Sequence, residues 1–294
     1  MADYSRRDFL KTGLAATALA GVGSLGLKAA TDPATQLVTL GNSGVKVTRL
    51  AFGTGTDNGR VQRDLGQAQF TDLVHYAYDR GIRFFESAQA YPDMHRMLGI
   101  ALKGIPRDSY QLMTKVTTPD DAHPMETIHR LCKVANTEYF DVMLLHFQHF
   151  ADWPTASLRW QEAISQAQGK KIVLARGASV HGLPALHQVP KTKWLQVAMI
   201  RMNQKGVFMD AENYATHGLG DVPAVVRVVK EVRKEGLGVI SMKLVGAGRF
   251  TKHADRQAAM KFAFRHAGVD AVTVGYKNKA EVDEAIENVR LAFA

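Results

Sequence analysis

From Leu50 onward, short runs of β-branched and apolar residues alternate with longer stretches whose apolar positions recur every three to four residues. Runs of the first kind predict strands buried on both faces. They fall at Leu50–Phe52, Ile82–Phe85, Gln111–Thr114, Asp141–Leu145, Ile172–Ala175, Gln196–Ile200, Gly238–Met242 and Ala271–Val274. The second kind predicts amphipathic helices at Gln67–Arg80, Pro124–Asn136, Pro154–Gln168, Val222–Glu235, Ala254–His266 and Glu281–Leu291. Prolines at first turns (Pro124, Pro154, Pro223) and glycines after last turns (Gly81, Gly169, Gly236) punctuate them as helix ends require. Most repeats run roughly thirty residues, the length of a βα unit. With no composition break after residue 40, the series predicts an α/β fold of the closed (β/α)8, or TIM, barrel type over residues 35–294. An open doubly wound sheet would carry Gly-x-Gly-x-x-Gly after its first strand. Gly53-Thr54-Gly55 stands there without the third glycine.

Residues 1–34 do not share this pattern. Ser5-Arg6-Arg7-Asp8-Phe9-Leu10-Lys11 leads into an apolar run from Thr12 to Leu27 that shows no polar stripe and is interrupted by Gly13, Gly21, Gly23 and Gly26. Such a run is too short and broken for a membrane span. A basic start, a mild apolar run and small residues afterwards make an export signal. The arginine pair followed by Phe-Leu-Lys resembles a twin-arginine (Tat) signal, an address read by a receptor. The Tat export machinery is therefore an expected partner and the periplasm the expected destination. No clean Ala-x-Ala marks a cleavage point between Lys28 and Ala34, and the absence of a cysteine after the apolar run excludes lipoprotein anchoring.

Composition narrows the function classes. With 46% hydrophobic residues the chain can bury a sizeable core. The formal net charge is +9, in part carried by Arg6, Arg7, Lys11 and Lys28 of the leader. The remaining charge is scattered, without zinc-finger spacing, a basic helix or aromatic-basic interleaving, which argues against a nucleic-acid partner. It reads as a solvated surface with a few phosphate-facing positions. The single cysteine, Cys132, lies among Ile128, Leu131 and Val134 and reads as a small buried hydrophobe. No metal-ligand spacing such as His-x-x-x-His is present, so no metal is expected.

In a (β/α)8 barrel, chemistry gathers at the C-terminal ends of the strands. There the sequence places Glu86 and Tyr91 after the second strand, Lys115 at the end of the third and His146 after the fourth. Ser179 with His181 follows the fifth, Asn203 the sixth, and Lys243 with Gly246-Ala247-Gly248 the seventh. A phenol is a weak acid at neutral pH. A neighbouring ammonium lowers its pKa, and a carboxylate holds that ammonium charged and oriented. Carboxylate, phenol, ammonium and imidazole on successive strands can therefore protonate a substrate carbonyl. His149, His181, Arg201, Asp57 and Trp153 are further pocket residues by position alone.

These segments resemble the aldo-keto reductase family. Gly81-Ile-Arg-Phe-Phe-Glu86-Ser-Ala-Gln-Ala-Tyr91 is similar to its block in which a strand ends in Asp and a Tyr follows five residues later. Leu112-Met-Thr-Lys115 and Asp141-Val-Met-Leu-Leu-His146 are similar to its lysine and histidine strands, and Leu40–Gly53 resembles its N-terminal hairpin and first strand. Gly238–Lys243 and Val274–Asn288 resemble its seventh and eighth strand regions, so the likeness covers about residues 38 to 292. The resemblance implies NADP, with NAD as the other possibility, and a small aldehyde, ketone or sugar as substrate. It further implies Tyr91 as general acid, Lys115 as the group that lowers its pKa and His146 as the group that orients the carbonyl. Ser179, Asn203, Lys243, Gly246, Gly248, Lys277 and Asn278 are the implied cofactor contacts.

Several positions depart from the family pattern. Glu86 stands for the usual Asp, Val180 and His181 follow Ser179 where Asn is common, and Met199 replaces a glutamine. Glu281 falls where an arginine would meet a 2′-phosphate. Two other readings accordingly stay open: a cofactor-independent sugar isomerase or lyase on the same barrel, and an exported binding protein without catalysis.

Overall fold

The structure is a computed structural model describing residues 32–117, 122–212 and 218–294. The Tat-like leader through Thr31 lies outside the described residues. The chain enters through Asp32, whose main-chain carbonyl accepts from Thr35 and Gln36 and whose carboxylate accepts from the Ala34 amide at 3.0 Å. Ala34 is fully buried and its carbonyl accepts from Leu50 N. Asp32 also clasps Arg290 near the C-terminus, Oδ2 to Nη2 at 2.5 Å.

An antiparallel hairpin follows, β1 (Leu37–Thr39) and β2 (Lys46–Thr48). Eight parallel strands then close into a barrel: β3 (Leu50–Gly53), β4 (Phe84–Glu86), β5 (Gln111–Thr117), β6 (Phe140–Gln148), β7 (Val173–Val180), β8 (Val197–Arg201), β9 (Gly238–Met242) and β10 (Ala271–Val274), with β10 pairing both β9 and β3. Helices alternate with them: α1 (Arg60–Arg63), α2 (Gly66–Asp79), α3 (Met94–Ala101), α4 (Pro124–Val134), α5 (Trp153–Ala156), α6 (Leu158–Gly169), α7 (Leu183–Leu186), α8 (Val222–Lys234), α9 (His253–Lys261) and α10 (Lys279–Phe293). All eight predicted strands are present.

Two hydrophobic sets hold the barrel, and strand alternation separates them. Ala51, Phe84, Met113, Val142, Leu144, Val197, Met199 and Ile240 fill the lumen, which Leu40, Val45 and Val47 of the hairpin region join from one end. Their neighbours Phe52, Phe85, Leu112, Met143, Leu145, Ala198 and Val239 pack outward in the set shared with the helices. Helix α8 shows how the outer shell forms: Val225, Val228, Val229 and Val232 recur on one buried face, and the Asp221 carboxylate caps the start by accepting from Ala224 N at 2.9 Å.

Three helical stretches differ from the sequence pattern. The predicted Pro154–Gln168 helix is broken at Ser157, whose hydroxyl donates to Trp153 O and accepts from the Gln161 amide, competing with the helical ladder. The last turns of the predicted Ala254–His266 helix widen into a π-helical segment, Phe262–Ala267. Helix α3, which the apolar period did not single out, buries His95 against Thr114 Oγ1 at 2.7 Å. A buried imidazole interrupts the apolar stripe that would have announced this helix.

Candidate active site

Continuing the inward parity of each strand by two residues leads from the apolar lumen to a polar layer at the C-terminal rim. Phe84 leads to Glu86, Met113 to Lys115, Leu144 to His146, Gly177 to Ser179, Met199 to Arg201 and Ala271 to Thr273. The register places Gly53 beside Glu86, and Thr117 beside His146. His146 lies within β6, which runs further than the pattern suggested.

Glu86 and Lys115 form a buried ion pair, 2% and 1% exposed. Lys115 Nζ also donates to Ser87 O at 2.9 Å. The other carboxylate oxygen of Glu86 accepts from Thr273 Oγ1 at 3.2 Å. Glu86 thus reaches from β4 past β3 to β10, and Gly53 leaves the room: a Cβ there would stand 2.5 Å from Thr273 Oγ1 and 3.1 Å from Glu86 Oε2. The extra methylene of glutamate is housed by this arrangement. Burial pushes the Lys115 pKa down, against the opposing pull of Glu86.

Tyr91 lies on the loop after β4. Its ring stands edge-on to His146, 5.5 Å between centroids at 86°, and Lys115 Nζ is 4.8 Å from its centroid. Gly55 fixes how closely the phenol approaches the first strand's loop, since a Cβ there would lie 2.6 Å from Tyr91 Oη. Burial, then the Glu86 charge, pushes the phenol well above its ordinary pKa. With Lys115 closed on Glu86, the phenol is therefore held protonated. The sequence had suggested a lowered pKa.

His146 and His181 are held neutral. Burial, then Lys115 and Lys243, lowers His146 to about 3, and burial, then Arg201, Lys243 and the neighbouring histidines, takes His181 well below its usual value. His181 packs against Phe147 at 4.4 Å. Beside it Arg201, 4% exposed, donates from Nε to Asp210 Oδ1 at 2.7 Å, and the Gly182 amide donates to the same oxygen at 2.6 Å. Arg201 was foreseeable by strand parity, whereas Thr273 and Asp210 carried no signal. Thr273 is an ordinary strand residue, and Asp210 comes from a loop.

The depressed histidines make acid stability a test. An unfolded histidine titrates near 6.5. His146 near 3 and His95, lowered by burial to about 4, stay neutral when folded, so their contribution is present above pH 6.5 and lost as pH falls toward 4 and 3. Denaturant unfolding should show a loss on the order of a few kcal/mol between pH 7 and 4.5. Stability that stays flat across that interval would contradict these burials.

A cleft of about 570 Å³ runs from Glu86 and Tyr91 past Lys243 and Gly248 to Tyr276, Lys277, Glu281 and Asn288. It includes Lys243, Gly248 and Lys277 of the expected cofactor contacts. Gly246 belongs to the adjoining turn, where φ is 58°, 52° and 90° at Gly246, Ala247 and Gly248. The amides of Gly246 and Gly248 donate within that turn, to Lys243 O and Val245 O, so the glycines supply a wall free of side chains rather than free donors. Three other expected contacts have their side chains committed elsewhere. Asn203, fully buried, donates to Val207 O at 2.7 Å and accepts from Lys205 N and Val207 N. Asn278 caps α10 by accepting from Glu281 N at 3.0 Å, and Ser179 Oγ faces Met242 Sδ at 4.0 Å inside the lumen. Glu281 in turn accepts from Lys277 N at 2.8 Å.

The cleft suits a dinucleotide. Its lining includes Gly53, Gly55, Gly248 and Gly275, and Asn288, 2% exposed, carries a carbonyl oxygen with no hydrogen-bond partner. Among the described residues no group of three or more His, Cys, Asp or Glu could hold a metal ion, and no helix is long and apolar enough to cross a membrane.

Comparison with known proteins identifies the family and the fold. Residues 49–289 match the model of the aldo/keto reductase family, and residues 3–23 match that of the twin-arginine translocation pathway signal sequence. A probable aldo-keto reductase from Glycine max is 30% identical over 130 residues, covering 40% of this chain and 37% of that protein, so the match spans little more than a third of the relative. Among solved structures, a putative aldo-keto reductase from Pseudomonas aeruginosa superposes with a TM-score of 0.70 at 20% identity, covering 89% of this chain and 98% of the other. An aldo-keto reductase from Klebsiella pneumoniae in complex with NADP and acetate gives 0.64 at 17% identity over 86% and 89%. At these identities the structural likeness speaks for the fold.

Proposed function

The chain belongs to the aldo/keto reductase family, and on that premise we propose that it interconverts a carbonyl and an alcohol on an aldehyde, ketone or sugar, with NADP or NAD as cofactor. The observation that carries this reading is the convergence of Lys115 and His146 on Tyr91, which lines the cleft beside Glu86. When bound, the nicotinamide supplies or accepts a hydride at the substrate carbon. The protein's own residues handle the oxygen. Tyr91 Oη gives it a proton during reduction and takes one during oxidation. Lys115 steadies the phenolate that results, because a cation 4.8 Å from the ring favours the charged product of proton transfer. Neutral His146 keeps a ring N–H available to orient the carbonyl. Glu86 holds Lys115 charged and in place, and Thr273 fixes Glu86.

The cofactor would lie along the wall from Gly248 to Lys277, its adenine end near the unpartnered Asn288 carbonyl. We place NADP ahead of NAD because Lys277 and Lys279 stand exposed at the entry to α10, with Glu281 as the opposing charge. The solved Klebsiella relative that contains NADP supports the same order. The twin-arginine signal indicates export, and the periplasm is the destination we infer. Free nicotinamide is not replenished there, so tight retention and a second substrate that resets the cofactor belong to the proposal. Fluorescence titration of the mature protein with each cofactor is the direct test. Binding of neither would sink the reading, and Glu281→Arg should tighten NADP relative to NAD by up to about fivefold, the worth of an exposed charge pair.

A further inference from the structure

The ionic groups of the polar layer are paired, with one exception. Lys115 is closed on Glu86 and Arg201 on Asp210, while Asp57 is held by Arg60 at 2.5 Å. Among the described residues the Lys243 ammonium makes no hydrogen bond or ion pair. Its placement is not a by-product of strand geometry. Alternation from Met242, which faces the lumen, would send Lys243 outward. Instead its backbone adopts φ 56°, and the residue is half-buried in the cleft wall. A non-glycine residue held in the left-handed region is strained, and such strain is typically retained where a side chain must be aimed. Lys243 feels the charges of Glu86, Arg201, Lys115 and, last, Asp57, and it acts in turn on His146 and His181. These are groups of the reacting end. With the two imidazoles neutral, Lys115, Arg201 and Lys243 face the two buried carboxylates of Glu86 and Asp210, and the more exposed Asp57 is already paired with Arg60. One positive charge is left without a counter-ion.

We propose that the substrate is an acidic carbonyl compound, an oxo acid or an aldehyde acid of the uronate kind, whose carboxylate is held by Lys243 while its carbonyl meets Tyr91. The inference rests on the reductase reading and deepens it. The carbonyl carbon gains the hydride, its oxygen gains the Tyr91 proton, and the carboxylate passes through unchanged.

The test compares matched pairs with the cofactor-loaded mature protein: 2-oxobutanoate against 2-butanone, and glucuronate against glucose. The wild type should favour the acid of each pair by at least tenfold in kcat/KM. Lys243→Met should cut that ratio roughly 10- to 100-fold, the range for loss of a charge-assisted hydrogen bond, and Lys243→Arg should keep most of it. Calorimetric titration with oxamate, which is not reduced, adds a readout independent of turnover: the wild type should bind it and Lys243→Met should not. No acid preference in the wild type would overturn the proposal. So would a Lys243→Met variant that weakens dinucleotide binding with the acid-to-neutral ratio intact, a result that would give the lysine to the diphosphate. Oxamate binding that depends on Lys243 in a protein that turns over no carbonyl would uphold the anion site and sink the reductase reading. Turnover of neutral carbonyls without oxamate binding would do the reverse.

Discussion

Tyr91→Phe is expected to lower kcat for carbonyl reduction by about 10²- to 10⁴-fold, the usual worth of a positioned general acid. The variant should fold as well as the parent. Tyr91 Oη makes no hydrogen bond among the described residues, so its removal leaves no buried group unpaired. The aromatic edge against His146 and the face toward Lys115 are kept. Cofactor affinity should also survive, since most of the wall proposed to hold the dinucleotide lies elsewhere in the cleft. Steady-state kinetics with a parallel cofactor titration separates the outcomes. Full turnover by the phenylalanine variant would take the acid role away from Tyr91, and loss of cofactor binding alongside turnover would make the residue a structural part of the cleft.

Lys115→Met tests a different link, between packing and chemistry. It strands the Glu86 carboxylate, 2% exposed, with Thr273 as its remaining side-chain partner. Breaking a buried pair in this way costs about 3–5 kcal/mol. For a domain of this size that corresponds to a fall in Tm of roughly 10 °C. Adding Glu86→Gln removes the stranded charge and should restore much of the stability while activity stays lost. A double variant no more stable than Lys115→Met alone would show that the cost was lost packing of the lysine stem rather than an unpaired charge.

The strands were legible because a parallel barrel buries both faces of each one, and continuous apolar runs such as Met143-Leu144-Leu145 stand out against the helices. Site residues that continue a strand's inward parity were legible for the same reason: Glu86, Lys115 and His146 extend Phe84, Met113 and Leu144 by two positions. What escaped depends on groups brought together from distant parts of the chain. Nothing near Asn203 indicates that its amide ties down local backbone instead of facing the cleft, whereas Asn278, three residues before Glu281 at a helix start, carried an N-cap signal that the cofactor expectation passed over. The partnership of Glu86 with Thr273 spans 187 positions and needs a glycine on the intervening strand. The Tyr91 pKa runs opposite to the expected direction because burial of the ring, invisible in the sequence, outweighs the ammonium, and the Glu86 carboxylate that holds the ammonium also acts on the phenol.

The clasp of Asp32 on Arg290 joins the first described residue to the last helix, fifteen residues long and ending at Phe293. Chain ends are where proteases ordinarily find purchase, since few contacts hold them. Here the segment that enters the barrel is tied to the last described helix by a two-pronged charged contact, with Ala34 sealed beneath it and Leu50 bonded to the Ala34 carbonyl. A cut at or before Thr31 would leave this latch whole, whereas one past Ala34 would remove both the Arg290 contact and the buried anchor. The barrel's resistance to proteases is therefore expected to fall sharply once a cut in the entering segment passes Asp32, whichever way the chain is processed.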